Sequence, residues 1–113
     1  MNLLNKRQVD ALLPFLEHSQ GVEEGRSIWC LMETLYAEGW IKAGFDWGEW
    51  QDEAAGYVSS PNKLASVDLE IIQKLFTTHA RKDRFCEGHW ADMIECGHIQ
   101  AILRRVAVLG ADL

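Results

Sequence analysis

The sequence is poor in residues that break helices and in residues that cross-link small proteins. It has 2 prolines and 3 cysteines among 113 residues. An odd cysteine count offers no paired disulfide framework, so we expect Cys30, Cys86 and Cys96 to be reduced thiols buried in a core. Because 48% of the residues are hydrophobic, one core can form without cross-links. We therefore predict a single domain over residues 1–113.

Long apolar runs and an excess of basic charge are also missing. No stretch reaches the roughly 20 apolar residues of a membrane span, and residues 1–8 do not resemble a signal peptide. We therefore expect a cytoplasmic protein that has no membrane partner. The net charge is −6, and all of it arises in residues 1–60. This charge argues against nucleic acid as a partner, because phosphates repel an acidic protein.

Apolar residues recur at the spacing of amphipathic helices along most of the chain. Pro14 should kink the first helix or begin a new turn, Ser59–Asn62 should form a loop, and Ser66 should cap the fourth helix. A short strand is an alternative only at Val106–Leu109. The prediction is an all-α fold, a compact single-domain bundle of five or six helices. The predicted segments are about 5–18, 23–38, 46–58, 66–80, 85–96 and 98–108.

The ends of three predicted helices carry specific local signals. Asn5 followed by Gln8 predicts a capping box at the first helix. Gly39 predicts a left-handed ending of the second helix, after which Trp40 packs back on Leu35. At the third helix, Asp46 should act as the N-cap, and the aromatic residues at positions 45 and 50 should form a hydrophobic staple.

The most distinctive polar residues lie between positions 81 and 105. Arginine forks bind carboxylates and phosphates, and histidine with glutamate can supply acid–base chemistry. If these side chains converge, they form a closed ion-pair network or an open anion site. We favour the network, in which case Glu87→Ala should destabilise the protein by up to about 3 kcal/mol. The candidate cluster is Arg81, Arg84, Glu87, His89, Glu95 and Arg104.

Cysteine and histidine alternate in the same region. Cys86 and His89, followed by Cys96 and His98, are residue types that bind zinc. Their spacing, however, matches no common structural zinc pattern. We therefore predict no metal and no cofactor, and we regard these four residues as the candidates should a metal bind. A turn at Gly97 before an arginine-bearing helix superficially resembles a helix-turn-helix, but those arginines lie at the end of the helix that does not read bases.

Two sequence blocks stand out. The first is Phe45-Asp46-Trp47 with Trp50. The second is Arg81-x-Asp83-Arg84-Phe85-Cys86-Glu87-Gly88-His89, followed by Glu95-x-Gly97-x-Ile99 and Ile102-Leu103-Arg104-Arg105. Together they resemble a small, mainly bacterial family of uncharacterised proteins, defined as a domain of unknown function. The resemblance spans about residues 28–106 and implies an intracellular protein with no assigned activity.

Two classes of function remain. The favoured one is a non-enzymatic protein that acts through protein–protein contacts, as a homodimer or with a small protein partner, through a surface built from some of the five tryptophans. The alternative is a small-ligand or anion-binding protein, enzymatic or not, that uses the cluster at residues 81–105. A ligand site would leave the arginines accessible beside a pocket with shifted ionisation. An interaction module would pair them with Glu87 and Glu95.

Overall fold

A computed structural model describes residues 5–17 and 30–111 of the chain. Within these residues the fold has seven α-helices, one 3-10 helix and no β-strand. The expected end of the first helix at Ser19–Gly21, the first part of the second helix and Trp29 lie outside the described residues. The helices are α1 (Lys6–Asp10), α2 (Leu13–Glu17), α3 (Leu31–Ala37), α4 (Trp47–Ser59), the 3-10 helix (Pro61–Ser66), α5 (Leu69–Lys82), α6 (His89–Glu95) and α7 (His98–Gly110).

The first predicted helix is divided into two. The Asn5 side chain accepts a hydrogen bond from Gln8 N, and the Gln8 side chain accepts one from Asn5 N, which confirms the capping box. Helix α1 ends at Asp10, and Pro14 occupies the first turn of α2. Proline fits there because its missing N–H has no partner in a first turn. This division corrects the predicted count of five or six helices to seven.

The predicted ending of α3 is confirmed. Gly39 has φ +81°, and Trp40 N donates to Leu35 O at 2.9 Å. The indole of Trp40 is fully buried. It packs edge-on against Phe76 at 5.8 Å between ring centres, and its Nε1 donates to Gln8 O at 3.1 Å. Trp40 therefore joins α1, α3 and α5.

The start of α4 also matches its prediction. Asp46 Oδ1 accepts from Glu49 N at 3.2 Å, and the rings of Phe45 and Trp50 lie 5.9 Å apart. The loop expected at Ser59–Asn62 is wrong, because Pro61 begins the 3-10 helix.

The N-cap predicted for α5 is also wrong. Asp68 caps the helix and accepts from Ile71 N at 3.0 Å. Ser66 instead donates to Lys63 O at 3.5 Å. A carboxylate at this position also interacts favourably with the helix dipole, so Asp68 is the better cap.

The last two helices differ from their predicted limits. Helix α6 begins at His89, not near position 85, because residues 83–88 form turns that end in left-handed Gly88. Phe85 is consequently 75% exposed. Residues 106–109 are helical within α7, so the strand alternative is wrong.

Helix α7 lies at the centre of the described fold. It packs against α1, α2, α5, α6 and the 3-10 helix, and α5 in turn packs against α4 and α6. The Cα radius of gyration is 13.0 Å. Trp40 and Trp90 are buried, whereas Trp47 and Trp50 are half-buried. None of the helices formed by the described residues has both the length and the apolar character that crossing a membrane would require.

The prediction of buried cysteines is wrong. Cys30, Cys86 and Cys96 are free thiols on the surface. Each lies at the edge of a helix or in a turn: Cys30 precedes α3, Cys86 belongs to the 83–88 turn, and Cys96 follows α6. These positions do not belong to the buried stripe of any helix, so the apolar character of cysteine is not used in the core.

A candidate ligand cavity beside a chain of histidines

The charged residues expected to form a cluster are largely spread over the surface. Arg84, Glu87, Glu95 and Arg104 are exposed, and Arg81 is half-buried. Among the described residues, no ion pair joins any two members of the predicted set. The favoured ion-pair network is therefore wrong. The physical reason is the shorter α6, which puts positions 84 and 87 in a solvent-exposed turn.

Three histidines, by contrast, form a continuous chain of contacts where α5, α6 and α7 meet. His79 Nδ1 lies 2.9 Å from His89 Nε2, and His79 Nε2 lies 3.1 Å from His98 Nε2. His79 and His98 are buried, and His89 is half-buried. We call this group the histidine chain.

Local structure explains how the three rings meet. His79 lies on the buried stripe of α5 together with Leu75 and Phe76. His89 and His98 are each the first residue of a helix, directly after Gly88 and Gly97. These glycines have φ of +91° and +87°, a conformation that side-chain-bearing residues rarely adopt. Two left-handed glycines thus turn the chain twice, and each turn brings a histidine back to α5.

The histidine chain has a defined hydrogen-bond direction when all three rings are neutral. A neutral imidazole has one N–H and one acceptor nitrogen. His79 therefore donates to one neighbour and accepts from the other. The chain has two such neutral arrangements. Converting one into the other moves one proton along each contact, and it also removes a proton from the Nδ1 of one outer ring and adds one to the Nδ1 of the other. The Nδ1 of His89 is a donor in one arrangement and an acceptor in the other.

Burial keeps the histidine chain neutral near pH 7. Burial, followed by repulsion from His98, His89 and Lys82, holds the pKa of His79 well below 6.5. Burial, with a smaller effect of His89, lowers the pKa of His98 to about 4.

The pKa of the third ring, His89, is also lowered. Burial and then Lys82 lower the pKa of His89, while Asp83 and Asp92 oppose the shift. The charged form is disfavoured because a buried cation loses hydration.

A cavity of about 190 Å³ lies beside the histidine chain, between α4, α5 and α6. Helix α4 contributes one face of largely small and apolar residues, including Ala54, Ala55 and Val58. The opposite wall is formed by Thr78, His79, Lys82, His89 and Met93. We call this space the histidine cavity.

One polar atom in the wall of the histidine cavity is unsatisfied. Thr78 is 1% exposed, and its Oγ1 has no hydrogen-bond partner among the described residues. A buried hydroxyl without a partner costs about 1–3 kcal/mol. Lys82 lies one turn further along α5, and its ammonium forms no ion pair within residues 5–17 and 30–111. The residues that line the cavity therefore include a threonine with an unpaired hydroxyl and a lysine that forms no ion pair in the described part of the chain.

The far end of the histidine chain opens on a second space. His98 lines a hollow of about 110 Å³ together with Pro61, Cys96 and Ala101. Val58 contributes to the walls of both the hollow and the histidine cavity. The histidine chain therefore connects two separate openings. Arg104 and Arg105 line a third hollow of about 380 Å³, next to Leu64 and Val108.

The candidate metal ligands do not converge. Cys86 and Cys96 are exposed, while His89 and His98 contact different nitrogens of His79. Since the two nitrogens of one ring point in different directions, no single point lies in front of all three rings. Among the described residues, no group of three or more histidine, cysteine or carboxylate side chains is arranged to hold a metal ion.

The histidine cavity lies within the segment that a known family shares. The model of a family of unknown function, DUF6508, matches residues 20–111. The chain belongs to this family. No curated protein and no solved structure matches the chain significantly. The segment that matches DUF6508 includes every residue of the histidine chain and of the histidine cavity. The family has no known function, so the match assigns none of these residues a role.

Only part of this site was predicted from the sequence. His89 and His98 were among the candidate residues, but their contact with His79 was not predicted. Thr78 and Lys82 were missed. The signal that could have found the chain is the repeated Gly-His pair, combined with a histidine on the apolar face of α5.

Proposed function

We propose that the protein binds a small molecule in the histidine cavity. The supporting observation is the buried Thr78 hydroxyl, which has no partner within the described residues. Native proteins rarely leave a buried polar group unpaired, and a ligand that accepts its hydrogen bond removes the cost. Of the residues proposed from the sequence, only His89 lines this cavity. The proposal therefore retains His89 and replaces the surrounding arginines with Thr78 and Lys82.

Size and wall chemistry define the kind of ligand. A volume of about 190 Å³ slightly exceeds that of an apolar cavity that binds benzene, about 150 Å³. The ligand should have an apolar body that packs against α4 and Met93. It should have one polar end that reaches Thr78 and His89. Binding, rather than turnover, is the activity that we propose.

The test is NMR titration of the ¹⁵N-labelled protein with benzyl alcohol, benzamide and benzoate. At least one probe should shift the amide signals of Thr78, His89 and Met93, with a Kd on the order of 1 mM. Ala55→Phe should abolish the shifts, because it fills the cavity from α4. Ala43→Phe is the matched control at an exposed position outside the cavity. Shifts with no probe, or shifts that survive Ala55→Phe, would contradict the proposal.

A second proposal, of a different class, is contact with a second copy of the chain through Phe85 and Trp47. Phe85 is 75% exposed, and its ring stacks on half-buried Trp47 at 5.7 Å. Large exposed aromatic groups are common energetic centres of interfaces. Phe85→Ser should then lower the mass measured by sedimentation equilibrium, whereas Tyr36→Ser, another exposed aromatic position, should not. A monomeric wild-type protein at high concentration would rule out this contact.

A further inference from the structure

Lys82 gives the histidine cavity an electrostatic preference. Its side chain lines the cavity beside His79 and His89, and it lies close enough to both rings to disfavour their protonation. Among the described residues it has no carboxylate partner. The lining residues from α4, Gln51 and Ser59 included, carry no charge. The residues that line the cavity thus include one lysine and no carboxylate, while Asp83 and Asp92 lie near enough to His89 to favour its protonation.

The histidine chain can accept one proton without breaking either contact. If His79 is the imidazolium, its Nδ1–H donates to His89 Nε2 and its Nε2–H donates to His98 Nε2. Both outer rings then act as acceptors, so no ring has to turn. The cation is opposed by burial and by Lys82. A nearby anion would offset both terms.

The remaining charged groups around the three rings favour a proton at the His89 end of the histidine chain. Asp83, at the end of α5, and Asp92 on α6 favour a proton on His89. The residues that share the second hollow with His98 carry no charge. That hollow also offers a route by which a proton reaches His98 while the histidine cavity is occupied.

We propose that the ligand is a small organic monocarboxylate with an apolar body, and that its binding is coupled to the uptake of one proton by the histidine chain. This inference rests on the proposed function. One carboxylate oxygen accepts from Thr78 Oγ1, and the ligand charge lies beside Lys82 and His89. The proton comes from solvent and adds to a ring nitrogen, so no covalent bond of the ligand changes. The carboxylate–imidazolium pair is neutral overall, and Lys82 contributes the remaining attraction.

The test compares benzoate with benzamide, which have nearly the same shape and differ in charge. Isothermal titration at about pH 6 should show benzoate binding at least about tenfold more tightly than benzamide. Titrations in two buffers of different ionisation enthalpy should show uptake of about one proton per benzoate and none per benzamide. Between about pH 6.5 and 8, the Kd of benzoate should rise by up to about tenfold per pH unit.

Two variants separate the parts of the proposal. Lys82→Met should reduce the preference for benzoate at least severalfold, while Lys63→Met, which removes a lysine outside the cavity, should not. His79→Gln should abolish proton uptake, because it removes the ring that would carry the proton. Imidazole ¹⁵N spectra of the wild-type protein provide the same information without a variant, because benzoate should produce an imidazolium signal.

The outcomes distinguish this inference from the proposed function. Benzamide binding in the cavity as tightly as benzoate would overturn the anion preference but support the cavity as a ligand site. Benzoate binding without proton uptake would overturn the coupling. If neither compound nor benzyl alcohol shifts the cavity signals, the proposed function fails, and the inference fails with it.

Discussion

Two adjacent buried threonines, on two sides of α5, differ in their hydrogen bonding. On the side that packs against residues 39–42, Thr77 Oγ1 donates to Gln73 O at 2.8 Å and accepts from Lys42 N at 2.9 Å. On the side that lines the histidine cavity, the adjacent Thr78 is equally buried, yet its hydroxyl has no partner in the described part of the chain. The Thr77 hydroxyl therefore helps to hold the fold together, whereas the Thr78 hydroxyl does not. This unpaired hydroxyl is the observation that supports the proposed ligand site.

The largest predicted effect is a loss of stability on the side of α5 that packs against residues 39–42. Trp40→Ala should lower the free energy of unfolding by about 3–5 kcal/mol, because it removes a fully buried indole and its hydrogen bond to Gln8 O. Urea unfolding followed by circular dichroism measures the change. Trp47→Ala is the matched control, and it should cost less than half as much because Trp47 is only half-buried. Equal losses would show that the two sites are packed alike.

The next largest predicted effect is a loss of stability at low pH that arises from the histidine chain. The pKa of His98 is about 4 in the folded protein and about 6.5 when unfolded. The unfolded chain therefore binds the proton first as the pH falls. The stability from His98 is fully present above about pH 6.5 and is lost between there and about pH 4.

At pH 5 this loss amounts to about 2 kcal/mol for His98 alone. The lowered pKa values of His79 and His89 act in the same direction. The free energy of unfolding, measured by urea at pH 7.5 and pH 5, gives the change. His98→Gln should reduce the difference between the two pH values, and an equal difference in this variant would exclude His98 as its source.

A smaller effect on stability is expected from substitutions at Thr77 and Thr78, and it compares the two sides of α5 directly. Thr77→Val should destabilise the protein by about 1–2 kcal/mol, because Lys42 N would lose its acceptor. Thr78→Val should instead leave stability unchanged or raise it by about 1 kcal/mol, because it removes an unpaired buried hydroxyl. Each variant is the other's control, with the same change at neighbouring buried positions. Thermal and urea unfolding of both should give opposite signs, and a loss at Thr78 as large as that at Thr77 would show that its hydroxyl is paired.

The smallest effect is expected at a residue that the sequence singled out. Glu87 is exposed and forms no ion pair with a described residue. Glu87→Ala should therefore change the free energy of unfolding by less than about 0.5 kcal/mol, not by the larger amount that an ion-pair network would require. A loss above about 2 kcal/mol in urea unfolding would restore the network hypothesis.

Much of the local structure could be predicted from the sequence, because its causes are local. The capping box at Asn5, the Asp46 cap with its aromatic staple, and the Gly39 ending each depend on a few neighbouring residues. The helical class follows from the apolar spacing, which is also local. Errors occurred where two local signals competed, as with Ser66 and Asp68 before α5.

The site could be predicted only in part, because its causes are not local. The sequence contains two Gly-His pairs, and in the structure each of these histidines begins a helix. Only the packing of α5, α6 and α7 decides that these rings meet His79, which is 10 and 19 residues away along the chain. Likewise, Thr77 and Thr78 are the same residue in the same helix, and a rotation of about 100° between them decides which one packs and which one lines a cavity. By itself, the sequence determined the helical class and the caps at Asn5 and Asp46. The tertiary structure decided which polar atoms remain unpaired, because pairing depends on neighbours that the order of residues does not specify.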